Sequence, residues 1–159
     1  MSLPAARRVS AEDYLAFERA AETKHEYMDG VVYPWGDPDH PLDPDVVLGL
    51  RPEPYSAMAG GARAHSLIKV NLTIALGTHL QASPCRLYDS DLRVRPDGDH
   101  YFYPDLFVVC ADHPGADTDT EVDNPTLVIE VPSPSTERID RVSKLRPCPQ
   151  PARICADQQ

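Results

Sequence analysis

The sequence predicts an α/β or α+β domain, helices and a sheet sharing one core, and three observations predict it. Stretches with helical apolar spacing alternate with short runs rich in Val, Ile, Leu, Phe and Tyr, in the order helix, strands, helix, strands, helix. The dipeptides Asp29-Gly30 and Asp97-Gly98 fall between such runs, where hairpin turns need residues that tolerate positive φ. The 159 residues fit one domain, large enough to bury a core without staples.

Ser10-Ala11-Glu12-Asp13 reads as a helix start with Ser10 as N-cap, and the helix is expected to run to about Lys24 with Tyr14, Leu15, Phe17 and Ala21 on one side. Asp29-Gly30 then turns the chain into the strand Val31-Val32-Tyr33. From Pro34 to Pro54 the chain is rich in Pro and Asp and is expected to be a long surface excursion, with Tyr55 to Ala59 as a returning strand. Ala64 to Gln81 places Leu67, Ile68, Leu72, Ala75, Leu76 and Leu80 at helical spacing, the pattern of a main core helix. Arg86 to Arg95 and Tyr101 to Val109 read as a hairpin joined at Asp97-Gly98, and Thr126 to Val131 as a further apolar strand. Thr136 is placed to cap a last helix, with Glu137/Arg141 and Asp140/Lys144 paired at four-residue spacing.

Two carboxylates interrupt the apolar runs: Asp105 in Tyr103-Pro104-Asp105-Leu106-Phe107 and Glu130 in Leu127-Val128-Ile129-Glu130-Val131. An acid inside such a run is costly to bury unpaired, so two of them in adjacent candidate strands point to a shared cation. Two hard oxygen donors suit Mg²⁺ or Mn²⁺. Lys144, one short helix beyond Glu130, adds a cationic donor, and carboxylate, carboxylate and lysine together suit cleavage of a phosphodiester.

The bulk charge points the other way. With 25 acidic and 15 basic residues the net charge is −10, the wrong sign for phosphate contact by clustered Lys and Arg. Many of the acids, however, fall in the loop-like segments Asp37 to Asp45 and Asp112 to Asp123, and a bound divalent ion reverses the local sign. Cys85, Cys110, Cys148 and Cys155 form no CxxC pair, so free reduced thiols are expected. No apolar run approaches membrane-spanning length and no secretory h-region follows Arg7 and Arg8, which makes the cytoplasm the expected compartment.

Several segments resemble a bacterial family of putative restriction endonucleases, a branch of the PD-(D/E)xK nuclease superfamily. They are Ser10 to Leu15, His25 to Gly30, Met58 to Gly61 with His65, Asn71-Leu72, Asp91 to Val94, Tyr103 to Asp105, and Ile129 to Thr136 with Asp140 and Lys144. The resemblance implies a restriction-endonuclease-like core, a mixed sheet flanked by helices, with Asp105 and Glu130 as metal-binding acids. The lysine usually found two positions after the second acid is replaced here by Pro132, and Lys144 would take its role. Glu26 resembles an additional metal-binding acid near the first helix, and His65 sits where the family's second helix begins, as a supporting residue. Lys69, one turn further on, is a candidate phosphate contact. The implied protein is a Mg²⁺- or Mn²⁺-dependent endonuclease acting on DNA as a homodimer. The alternative is a catalytically silent remnant or binding module that keeps the nuclease fold.

Two departures from the family stand out. Residues 34 to 54 interrupt a hairpin that is otherwise tightly connected. After residue 145 the expected helix and apolar strand are missing, and the Pro-rich stretch 146 to 159 reads as a tail foreign to a domain spanning 1 to 145, of the composition a shifted reading frame would give. No strand is expected there.

Overall fold

The computed structural model describes residues 7–37, 39–54, 62–110, 120–123 and 125–131, and the backbone of Ala152–Cys155. The described strands form two sheets, and a proline corner joins them.

Helix α1 (Ala11–Ala20) starts as the sequence predicts: the Asp13 N–H donates to Ser10 Oγ at 3.1 Å. It ends at Ala20 rather than near Lys24, because Ala21 is already extended (φ −72°, ψ 145°). Strands β1 (His25–Met28) and β2 (Val31–Pro34) pair antiparallel around Asp29 and Gly30, whose φ values of 50° and 85° match the twist of a tight hairpin. Gly30 is further constrained, since a Cβ there would meet Arg8 Cβ at 2.8 Å.

The Pro- and Asp-rich segment lies mostly at the surface, as expected, but is anchored at its short apolar piece Val46-Val47-Leu48. It contains the short helix α2 (Pro44–Val47), capped by Asp43, and buries Val46 and Val47. Two consecutive β-branched residues were enough to anchor the loop to the core. The strand expected at Tyr55 to Ala59 lies outside the described residues.

Helix α3 (Arg63–Leu80) forms over the predicted span, yet none of its residues is buried. Ile68, Leu72, Leu76 and Leu80 are partly covered, while Leu67, Val70 and Ile74 stand 50–63 % exposed. It lies on strand β3 (Cys85–Asp89) as an outer layer, not as the core helix its spacing suggested.

The expected hairpin is divided between the two sheets. Residues 86 to 95 split into β3 and β4 (Arg93–Asp97) at a turn where the Asp91 N–H donates to Asp89 Oδ1 at 3.0 Å. Residues 101 to 109 likewise split into β5 (His100–Phe102) and β6 (Leu106–Cys110), with Pro104 between them unable to donate to a ladder. With β7 (Glu121–Val122) and β8 (Leu127–Glu130), the orders are β2-β1-β5-β4-β7 and β3-β6-β8-β9. The second sheet is mixed: β3, β6 and β8 pair antiparallel, while β9 (Ala152–Cys155) runs parallel to β8 from Leu127↔Ala152 to Glu130↔Cys155. A strand therefore occurs in the stretch where none was expected, because ladder bonds are made by the main chain and do not need an apolar run. The helix expected from Thr136 lies outside the described residues.

Register also decides the cysteines. Cys85 and Cys110 face each other in the β3/β6 ladder and form a disulfide, which corrects the expectation of free thiols for this pair.

Two apolar clusters hold the layers. Val94, Phe102 and Val122 from the first sheet meet Phe107, Val109 and Val128 from the second. On the far face of the first sheet, Tyr27, Val32 and Tyr101 pack against Tyr14 of α1 and Val47 of α2. Among the described residues no helix is long and apolar enough to cross a membrane.

Phe107→Ala should therefore cost about 3–5 kcal/mol in denaturant unfolding, the range for a fully buried aromatic. Leu67→Ala on the open face of α3 should change stability by less than about 0.5 kcal/mol, and a core-sized loss there would contradict the described packing.

Candidate functional site

The first sheet, the second sheet and α3 meet at the Tyr103-Pro104-Asp105 corner. One register step beyond Leu106↔Ile129, Asp105 stands opposite Glu130, and each carboxylate takes a main-chain N–H from the other strand. The Asp105 N–H donates to Glu130 Oε2 at 3.3 Å, and the Val131 N–H donates to Asp105 Oδ2 at 2.9 Å. Both acids are largely buried, at 9 % and 5 % exposure. The sequence had singled out this pair, and the fold brings it together.

Glu26 comes from the facing sheet. Strand alternation turns it away from Tyr27, which packs with Tyr14, and toward the face that carries Phe102. There its Oε1 accepts the Tyr103 N–H at 3.3 Å, two residues from Asp105. From α3, His65 Nε2 lies 3.1 Å from Asp105 Oδ1 and Lys69 Nζ lies 3.9 Å from the same oxygen. The i, i+4 spacing aims both at one carboxylate. His65 Nδ1 has no hydrogen-bond partner among the described residues. Lys144 lies outside the described residues.

Below this group sits a polar network that the sequence reading missed. Glu18 accepts from the His25 N–H at 3.1 Å and from the Tyr103 hydroxyl at 2.8 Å, and its Oε2 is 3.0 Å from His25 Nδ1. The other ring nitrogen of His25 lies 3.1 Å from Glu53 Oε1, which ties the end of the 34–54 segment to β1. Burial, reinforced by the Glu18 carboxylate, pushes the Tyr103 hydroxyl well above the usual phenol range, so it stays a neutral donor. Lys24, Ser90 and Trp35 were missed as well, because nothing in their local sequence announces that they meet across two sheets.

Asp105 and Glu130 suit a hard divalent cation, since Mg²⁺ is commonly held through one or two carboxylates with water completing its shell. Among the described residues no three of His, Cys, Asp and Glu gather as a metal-holding group, so Glu26 stands near the pair without completing a trio.

Comparison with known proteins bears on the family and the fold of the chain. The model of the Uma2 family, described as putative restriction endonucleases, matches residues 50–152. The chain belongs to this family. It is 34 % identical over 140 residues to the uncharacterized protein slr1290 of Synechocystis and 25 % identical over 138 residues to sll1609 of the same organism. These alignments cover 87 % and 86 % of the chain, which spans 61 % and 65 % of those relatives. In fold the Uma2 chain is similar to a crystal structure of a putative nuclease of DUF820 from Anabaena variabilis, with TM-score 0.61 at 17 % identity, covering 91 % of this chain and 70 % of that one.

Glu18→Ala would leave the Tyr103 hydroxyl and the His25 N–H without their acceptor. At about 1–3 kcal/mol per buried unsatisfied group, the loss should reach about 3 kcal/mol, read as a fall in Tm of roughly 6–12 °C for a chain of this size. Glu53→Ala, at a more exposed position, should cost far less.

Proposed function

We propose that this Uma2 protein is a Mg²⁺- or Mn²⁺-dependent endonuclease that hydrolyses phosphodiester bonds of DNA. The observation that carries the reading is the reciprocal clasp of Asp105 and Glu130, which fixes two buried carboxylates side by side at the junction of the sheets. The main-chain N–H groups of Asp105 and Val131 hold one oxygen of each acid in place, which pre-orients the pair. A divalent ion bound there would polarise a phosphoryl oxygen and lower the pKa of a bound water. His65 and Lys69 supply hydrogen-bonding and positive groups beside Asp105, Glu26 from the facing sheet holds the Tyr103 N–H next to the pair, and family resemblance assigns Glu26 to the metal and Lys144 to the reaction. A homodimer belongs to this reading, since cutting both strands of a duplex benefits from two sites.

The net charge of −10 favours a second reading, a catalytically silent binding module of the same fold. Supercoiled plasmid separates the two. The enzyme should nick it with Mg²⁺ or Mn²⁺ and stop on addition of EDTA, with Asp105→Ala and Glu130→Ala slowing the reaction by about 10²-fold or more and Lys144→Ala also impaired. A folded protein that leaves plasmid intact with either metal would favour the silent module.

A further inference from the structure

Beside the acid pair, two lysines and the chain's sole tryptophan meet from three separate segments. Lys24 and Trp35 face each other at the open end of the β1/β2 hairpin, where the Trp35 N–H donates to the Lys24 carbonyl at 2.9 Å. Lys24 Nζ lies 5.1 Å from the centre of the Trp35 ring and 5.5 Å from that of Tyr103. It donates to the Ser90 carbonyl at 2.9 Å, and Lys69 Nζ donates to Ser90 Oγ at 3.1 Å. Ser90, itself buried, thus pins two ammonium groups together, one of which, Lys69, lies 3.9 Å from Asp105 Oδ1, and in a chain of net charge −10 such a pairing is conspicuous.

All three groups keep a face to solvent. The Lys24 and Lys69 side chains are 31 % and 26 % exposed, and Trp35 is partly exposed. The indole N–H is taken by the Tyr103 carbonyl at 3.3 Å, which fixes the ring; Lys24 lies over the ring, and the partly exposed remainder of the indole is the surface a base would meet. The outer contact of Lys24 is Asp91 Oδ1 at 2.6 Å, and the Asp91 side chain is 84 % exposed. An exposed carboxylate on an ammonium group stands where a phosphate oxygen would bind. Its hydrogen bond from Lys24 holds the Asp91 carboxyl below the usual carboxylate range, so it is an anion at neutral pH.

We infer that Lys24, Trp35 and Lys69 form a platform for one nucleic-acid strand beside Asp105, with the two ammonium groups on its phosphates, the indole against a base, and Asp91 as a built-in competitor for Lys24. This assignment rests on the nuclease reading and adds to it the contacts that hold the strand. Lysine supplies point-charge contacts to phosphate, and base stacking on an aromatic ring is tolerant of sequence.

Because Trp35 is the sole tryptophan, its fluorescence reports on the platform directly. The full chain would be titrated with a short oligodeoxythymidylate in EDTA, so that binding is read without cleavage. Quenching is expected, weakening as salt rises, with affinity lowered about tenfold by Lys24→Gln or Lys69→Gln and a salt slope smaller by about one. Asp91→Asn, a change at an exposed position, should tighten binding severalfold. An abasic oligomer of equal length should bind with little quenching. The platform is overturned by no quenching, by equal quenching with a short polyglutamate, or by affinity unchanged in both Lys24→Gln and Asp91→Asn. Quenching that follows these variants in a protein that never nicks plasmid would uphold the platform and sink hydrolysis. Nicking by a protein whose binding ignores them would do the reverse.

Discussion

The corner at Pro104 is the constraint on which the rest depends. A proline has no N–H to give to a ladder, and at Pro104 the run from Tyr101 to Val109 divides into two strands. The chain leaves the first sheet after Phe102 and enters the second at Leu106. Phe102 and Phe107 then face each other across the gap between the sheets, and Asp105 falls at the point of transfer, opposite Glu130. Pro104 is itself fully buried, so the corner is packed on all sides.

Polar groups accumulate at this corner because a change of sheet leaves main-chain donors that the ladder would otherwise use. The N–H groups of Tyr103, Asp105 and Val131 are taken by the carboxylates of Glu26, Glu130 and Asp105. The acids are thus part of how the backbone is satisfied as well as candidates for chemistry. The same arrangement makes substitutions of Asp105 or Glu130 structural as well as chemical changes, which is why unfolding and activity need to be measured side by side.

Local signals in the sequence identified what is decided locally. The Ser10 cap and the Asp29-Gly30 turn form as their residue types require, and Asp105 and Glu130 are adjacent because each interrupts an apolar run that pairs with the other. What depends on distant contacts was not legible. The spacing of α3 tells which residues share a face but not whether anything covers it, so a helix that reads as core leaves Leu67, Val70 and Ile74 open. Alternation in 86 to 95 looks the same whether the strand stays in one sheet or crosses to another. The Cys85–Cys110 bond follows from the β3/β6 register, which no local pattern encodes. The convergence of Lys24, Ser90 and Lys69 arises only once both sheets and α3 are in place.

Strand β5 is short, yet its adjacent residues Tyr101 and Phe102 serve different apolar clusters on opposite faces. Loss of β5 would remove a wall from both clusters, so the layer of α1 and α2 and the second sheet share a common support. Unseating β5 should therefore expose the amide protons of both clusters together.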